Sequence, residues 1–319
     1  MAIPRAIDPQ FPATGPAHRK EASLWLDAWQ RLKRNRAAVI SLVFIFCIAI
    51  LAIAAPWVTP YAYDQHDFSH AAEGTSRWHW LGTDHIGRDL LTRIIFGARI
   101  SLMVGLTSQV IVLLIGVSLG LMAGYFGGRF DMILSLIIDV LYAFPDLLFI
   151  IIILTYIRGV LEQVGGEGGM LVAIDQATGG LLGVFIGISL VGWLTAARIV
   201  RAQVLSLRER DFIVAARCVG TTRWGIMRKH LLPNTLAPII VHATFGIPGA
   251  MMYEAGLSFL GLGIRPPMPS WGTMISEGIP NILSYPHLLL WPSLALSMTM
   301  LSFNFLGDGL RDALDPWIK

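Results

Sequence analysis

Ala37-Ala-Val-Ile-Ser-Leu-Val-Phe-Ile-Phe-Cys-Ile-Ala-Ile-Leu-Ala-Ile-Ala-Ala-Pro-Trp57 runs from end to end without a charged residue. A helix rises about 1.5 Å per residue, so a run of this length matches the roughly 30 Å hydrocarbon core of a bilayer. Five more segments read the same way: Ile100–Gly124, Met132–Ile157, Gly179–Ala197, Leu236–Leu260 and Leu288–Leu306. Only Asp139 and Asp146 in the third span and Glu254 in the fifth interrupt them with charge. The rest of the composition agrees: of 319 residues, 55% are hydrophobic and 14% charged, against about 25% charged in an ordinary soluble domain. Such a chain is not intrinsically disordered, and two cysteines, Cys47 and Cys218, do not make a disulfide scaffold. The expected fold class is an all-α membrane protein with six transmembrane helices.

Orientation follows from the flanking cations. Eighteen of the 24 Lys and Arg fall in segments 1–36, 125–131, 198–235 and 307–319, and six in 58–99, 158–178 and 261–287. Both termini are therefore expected in the cytoplasm. The net charge is only +3 and no basic face for nucleic acid is marked by position, so no nucleic-acid partner is expected. The first span is expected to be retained, because its polar leader and apolar run both exceed those of a signal peptide. Before it, Leu24, Trp25, Ala28, Trp29 and Leu32 recur at helical spacing among Asp27, Gln30, Arg31, Lys33, Arg34 and Arg36. That pattern suits an amphipathic helix lying in the membrane interface. The expected organisation is a disordered tail 1–22, an N-terminal unit 23–99 (amphipathic helix, first span, external loop), a core 100–306 with five spans and a cytoplasmic loop 198–235, and a C-terminal tail 307–319.

Two spans carry glycines four apart: Gly116, Gly120, Gly124 and Gly179, Gly183, Gly187. Such ridges serve close packing, either within one bundle or between subunits. Pro145, Pro238, Pro248 and Pro292 each remove a helical donor inside a span. Motifs for chemistry are lacking. None of the four lysines stands in a GxxxxGK[ST] context and there is no HExxH, so neither a nucleotide, a metal nor a catalytic residue is assigned to this chain. His66 and His70 are four apart in an external loop that also holds His79 and His85, but no third ligand is pinned to them. Asp139, Asp146 and Glu254, with Pro145 beside the second, are candidates for a polar pathway or gate. They keep a proton-coupled secondary transporter open as an alternative. Ser258 and His242 form no recognisable catalytic arrangement for a membrane enzyme.

The most informative polar segment is Asp211-Phe-Ile-Val-Ala-Ala-Arg-Cys-Val-Gly220-Thr-Thr-Arg-Trp-Gly-Ile-Met-Arg-Lys-His230-Leu-Leu-Pro233-Asn234. Phe212, Ala215, Ala216 and Val219 form an i, i+3, i+4, i+7 apolar stripe. Asp211 suits the helix cap, Gly220 its left-handed end, and Thr221 or Thr222 the cap of a second helix. An apolar stripe on a water-side helix needs a groove to occupy, in a partner or on its own bundle.

Gly220, four residues after Ala216, followed at a fixed interval by Leu232-Pro233, resembles the EAA loop of ABC importer permeases. Val214 replaces the usual Glu and His230 the usual Ile. Arg31–Arg36, His79-Trp-Leu-Gly-Thr-Asp-His-Ile-Gly-Arg-Asp89, Phe96–Leu102, Ala143-Phe-Pro-Asp146, Glu254-Ala-Gly-Leu-Ser-Phe-Leu-Gly-Leu-Gly263, Ser270-Trp-Gly272 and the tail Gly307–Pro316 are similar to the C-type subunit of dipeptide/oligopeptide importers. The resemblance implies the type I importer permease fold in a bacterial or archaeal inner membrane. It implies a B-type permease partner, two ABC ATPases that hold ATP and Mg, and an extracytoplasmic binding protein that delivers peptide. It makes residues 211–224 the coupling helix, with Asp211, Phe212, Ala215, Ala216, Val219, Gly220 and Trp224 facing an ATPase. Trp78, Trp80 and Trp271 would be part of the platform for the binding protein or, equally, anchors at the membrane interface. The substrate within the branch is left open: dipeptide, oligopeptide, nickel complex, glutathione, sugar or another solute.

Overall fold

The computed structural model describes residues 24–164 and 170–315. The expected disordered tail 1–22 lies outside them. Among the described residues all regular structure is helical. Helix α1 (Leu24–Arg34) leads into α2 (Arg36–Val58), whose start is capped by the Asn35 side chain accepting from Ala38 N. A long irregular stretch follows, then α3 (Leu90–Phe126), capped by Asp89. Next come α4 (Gly128–Tyr142), α5 (Asp146–Val164), α6 (Met170–Ala177) and α7 (Leu182–Leu207). Short helices α8 (Asp211–Cys218) and α9 (Arg223–Ile226) precede α10 (Leu232–Phe259), α11 (Trp271–Gly278) and α12 (His287–Leu314). Five helices are long and apolar enough to cross a membrane, and six spans result if the bent pair α4–α5 counts as one.

That pair departs from the expected third span. The chain turns through 95° between α4 and α5. Pro145 has no N–H to extend α4 and restricts the residue before it, so the helix stops at Tyr142 and restarts at Asp146. Gly127, at φ +63° and ψ −151°, makes the other sharp corner, between α3 and α4, in backbone space that only glycine enters freely. The remaining spans are longer than their apolar windows. Segment 198–235 is mostly helical rather than a loop: α7 runs on to Leu207, and only residues 208–210 and 219–222 lie outside helical turns. Likewise α12 continues to Leu314, through most of the expected tail.

The glycine ridges serve the chain's own bundle. A Cβ on Gly116 would lie 2.5 Å from Ala196 Cβ, one on Gly120 2.6 Å from Ala197 O, and one on Gly124 2.7 Å from Val204 Cβ. Helices α3 and α7 thus touch along their backbones and form the most extensive helix pair. Gly183 and Gly187 admit Leu154 and Ile150 of α5 in the same way, whereas Gly179 precedes the helix. The main core lies among α3, α5, α7 and α10.

Helix α1 packs differently from expectation. Ala28 and Leu32 are buried with Ala38 and Ala313, beside Leu310 and Leu314, so α1 lies on the end of α12. Arg31 Nη1 donates to Asp315 O at 2.9 Å. Leu26 and Trp29 remain exposed, with Lys33 Nζ 5.1 Å from the Trp29 ring centre. Exposed Ile40, Phe46 and Ile53 on α2 and Met132 and Leu136 on α4 give the bundle an apolar exterior, far beyond what a soluble monomer shows.

Candidate coupling surface, cleft and cap

Three regions follow the bundle from one end to the other. At the end that gathers the C-terminal turns of α3 and α7, α8 lies across them. Ile213 and Ala216 are buried with Val200, Val204, Ile226, Met227 and Leu231. Phe212, Val214, Ala215 and Val219 are exposed, Val219 to 86%. The expected apolar stripe is therefore split. Ala216 faces the chain's own core, where Ile213 joins it, and Phe212, Ala215 and Val219 form the outward row. Asp211 does not cap α8. It is the first helical residue, Arg210 holds the cap position, and no side-chain cap bond forms.

Gly220 ends α8 at φ +85°. Its N–H donates to Arg217 O at 3.0 Å, and Thr221 N to Ala216 O at 3.0 Å. This is the left-handed closure that satisfies the last carbonyls of a helix. Thr222 then caps α9, its hydroxyl accepting from Gly225 N at 3.1 Å. Exposed Trp224 meets Phe126 edge to face, and the Arg217 guanidinium lies 5.8 Å from the Tyr125 ring centre. After α9 the chain makes one wide π-helical turn over Met227–Leu231 and continues into α10. The α8–α9 unit is thus fastened to the ends of α3 and α10.

At mid-height, α3, α5, α7 and α10 enclose a cleft lined by Gln109, Asp146, Thr195, His242, Gly246 and Tyr253, among others. Tyr253 donates its hydroxyl to Asp146 Oδ2 at 2.8 Å. Asp139, expected in the same pathway, stays exposed on α4 and pairs with Arg198 at 2.9 Å. Pro145 forms the break between α4 and α5. Glu254 lies elsewhere, fully buried where α10 meets α11, and its Oε1 accepts from Ser258 at 2.7 Å and Ser270 at 2.6 Å.

At the opposite end, segment 59–89 and α11 form a cap. Asp84 Oδ2 accepts from Arg88 Nε and Arg93 Nη1, both at 2.6 Å, and Glu277 Oε2 accepts from Arg93 Nη1 at 2.8 Å. Burial acts to raise the Asp84 carboxyl, but Arg93 and Arg88 outweigh it and hold the group below the usual aspartate range. Asp89 caps α3 through Thr92 N at 2.7 Å and takes His79 Nδ1 at 2.9 Å. His70 pairs with Asp67 at 2.9 Å, and His66 stacks on Phe68. Hydrogen bonds from Ser69 and then His70 hold Asp67 down at about 2. Asp84, His85 and Glu277 bring ligand atoms within 4.8 Å of one another, but the two carboxylates already serve the arginines. Trp78 and Trp80 are exposed at 76% and 70%. Trp271 is not available to a docking platform. It is fully buried, its N donates to Ser101 Oγ at 3.2 Å and its Nε1 to Ile94 O at 3.0 Å, and Gly97 makes room for its ring. The sequence motif drew attention to His79–Asp89, but nothing local pointed to Glu277 as the partner of Arg93.

A cleft of mixed polar and apolar lining inside an apolar helical bundle, with an outward apolar helix at one end, is an arrangement that suits a membrane permease component. The chain belongs to the family described as "Binding-protein-dependent transport system inner membrane component", whose model matches residues 116–319. A second model, "N-terminal TM domain of oligopeptide transport permease C", matches residues 23–74. Among curated relatives, the dipeptide transport system permease protein DppC of Alkalihalophilus pseudofirmus is 41% identical over 93% of this chain and 91% of its own length. The oligopeptide transport system permease protein OppC of Escherichia coli K12 is 40% identical over 92% and 91%. The glutathione transport system permease protein GsiD of Pectobacterium atrosepticum is 38% identical over 92% of each.

Proposed function

We propose that this chain is the membrane-spanning permease subunit of an ATP-driven peptide importer, in which other chains hydrolyse ATP. The observation that carries the reading is near-full-length similarity to dipeptide and oligopeptide permeases, joined to an apolar helix face left uncovered on α8. Residues 211–224 would seat in a groove of an ATPase through Phe212, Ala215, Val219, Gly220 and Trp224. Both termini would be cytoplasmic, with six spans counting α4–α5 as one broken span, in the inner membrane of a bacterium or archaeon. A B-type permease would complete the pathway, two ATPases would hold ATP and Mg, and a binding protein would dock on the cap around Trp78 and Trp80. The energetic requirement is that ATP and loaded binding protein favour a different conformation from ADP. Nothing in the family match or the relatives' names points to a proton-coupled carrier.

The test is ATP-driven uptake of labelled dipeptide by the assembled complex in proteoliposomes. Gly220→Glu puts a charge on the docking face and strains the left-handed turn that closes α8, and it should cut uptake by about tenfold or more, as loss of an interface hot spot does, at unchanged membrane level. Normal uptake by this variant would move the coupling surface elsewhere. Uptake that survives removal of the ATPases but collapses with the proton gradient would replace the whole scheme.

A further inference from the structure

The mid-height cleft has a volume of about 160 Å³ and is lined by α3, α5, α7 and α10. Small residues keep it open. The Gln109 amide fills the space beside Gly246, where a Cβ would stand 2.1 Å from Oε1, and nothing lies within 4 Å of a Cβ on Gly249. Gln109 is only 5% exposed and Ser108 is fully buried, yet Gln109 Nε2 and Ser108 Oγ have no hydrogen-bond partner among the described residues. Buried donors without partners are costly, so two of them in residues lining a cavity call for an acceptor there. Asp146 is the one acidic side chain lining the same cleft. Tyr253 occupies its Oδ2, and among the described residues no other hydrogen bond reaches its carboxylate.

We infer that Asp146, Gln109 and Ser108 form a subsite for the amino terminus of a translocating peptide. The inference rests on the peptide reading above. An α-ammonium offers three donors and a positive charge, and a carboxylate in a low-dielectric site is its natural acceptor. The adjacent peptide carbonyl accepts from Gln109 Nε2 or Ser108 Oγ, which are left unpaired without it. This pairing uses only groups common to every linear peptide, so it holds the chain end without selecting side chains. A volume of this size takes one terminal residue, and the remainder of a peptide would extend toward the facing permease subunit. His242 borders both this cleft and a larger cavity of about 580 Å³ lined by Gln203, Phe245 and Arg311. That larger cavity lies toward the end that carries α8.

The experiment removes the binding protein, which has its own peptide preference. The permease–ATPase complex is assembled in nanodiscs without nucleotide, and binding of radiolabelled trialanine is compared with that of labelled N-acetyl-trialanine. Wild type should prefer the free amine by about tenfold, the scale of a buried hydrogen bond to a charged group. Asp146→Asn should lose that preference through weaker trialanine binding alone, and Asp146→Glu should recover part of it. Gln109→Leu should weaken both ligands by a similar factor of about three or more. Asp146→Asn complexes that keep the full preference, or wild type that has none, would overturn the subsite. If Asp146→Asn fails to assemble, Asp146→Ser decides: a preference kept at the wild-type value there is equally fatal. ATP-driven trialanine uptake by the wild-type complex with its binding protein separates the two claims. Uptake without amine preference in the nanodisc removes only the subsite, whereas no uptake removes the peptide reading itself.

Discussion

The two ends of the bundle are built on opposite terms. At the cap, long-range contacts close within the chain, although Trp78 and Trp80 stay exposed: Asp84 and Glu277 hold two buried arginines, and Trp271 is sealed between α3 and α11. At the other end, α8 buries Ile213 and Ala216 and leaves Phe212, Val214 and Val219 outside. One end is fixed by long-range contacts inside the molecule, whereas the other presents a half-satisfied helix. On the proposed reading, a subunit that keeps its shape toward one partner and yields to another would need both kinds of end.

Substitutions that sharpen the contrast can be ranked by their effect on stability. Trp271→Ala should cost most, about 3–5 kcal/mol for a large core side chain, read as thermal unfolding of the purified complex; a loss below about 1 kcal/mol would mean the cap is not anchored there. Asp84→Asn comes next, at about 3 kcal/mol, because it strands buried guanidinium groups that Glu277 compensates only in part. The pH dependence follows from the depressed Asp84 carboxyl. Its stabilisation is complete above the unfolded-state value of about 3.9 and is lost as pH falls through the lower folded-state value. The wild-type melting temperature should therefore drop in acid below about pH 4 by an increment that Asp84→Asn lacks. Val219→Asp should cost least, within about 0.5 kcal/mol as at other exposed sites, while abolishing peptide-dependent ATP turnover in the assembled complex. A large stability loss from Val219→Asp would break the comparison, since the outer face of α8 would then be packed within the chain.

Features carried by local pattern were legible in the sequence. Apolar runs marked the spans, and the Gly220 and Thr222 signals marked the α8–α9 turn, because each is decided by a few neighbouring residues. Where the decision is tertiary, the pattern misled or was silent. Pro145 could kink or break a span, and only packing sets the 95° turn. Trp271 reads as a surface aromatic until Gly97 and Ser101 are brought around it. Ala216 sits in a stripe of four apolar residues, and the sequence does not say which half turns inward. The pairing of Arg93 with Glu277 spans 184 residues and leaves no periodic trace.

From Arg223 to Phe259 the chain is one helical path of 37 residues, roughly 55 Å at 1.5 Å per residue. It begins beside the docking helix, lines the cleft with His242, Gly246 and Tyr253, and delivers Glu254 to the serine at the start of α11. Its one wide turn, Met227–Leu231, falls before the cleft. Pro238 and Pro248 remove two further backbone donors within α10, so on the proposed reading a displacement at α8 would reach the cleft and cap through several points of give rather than as one rigid push.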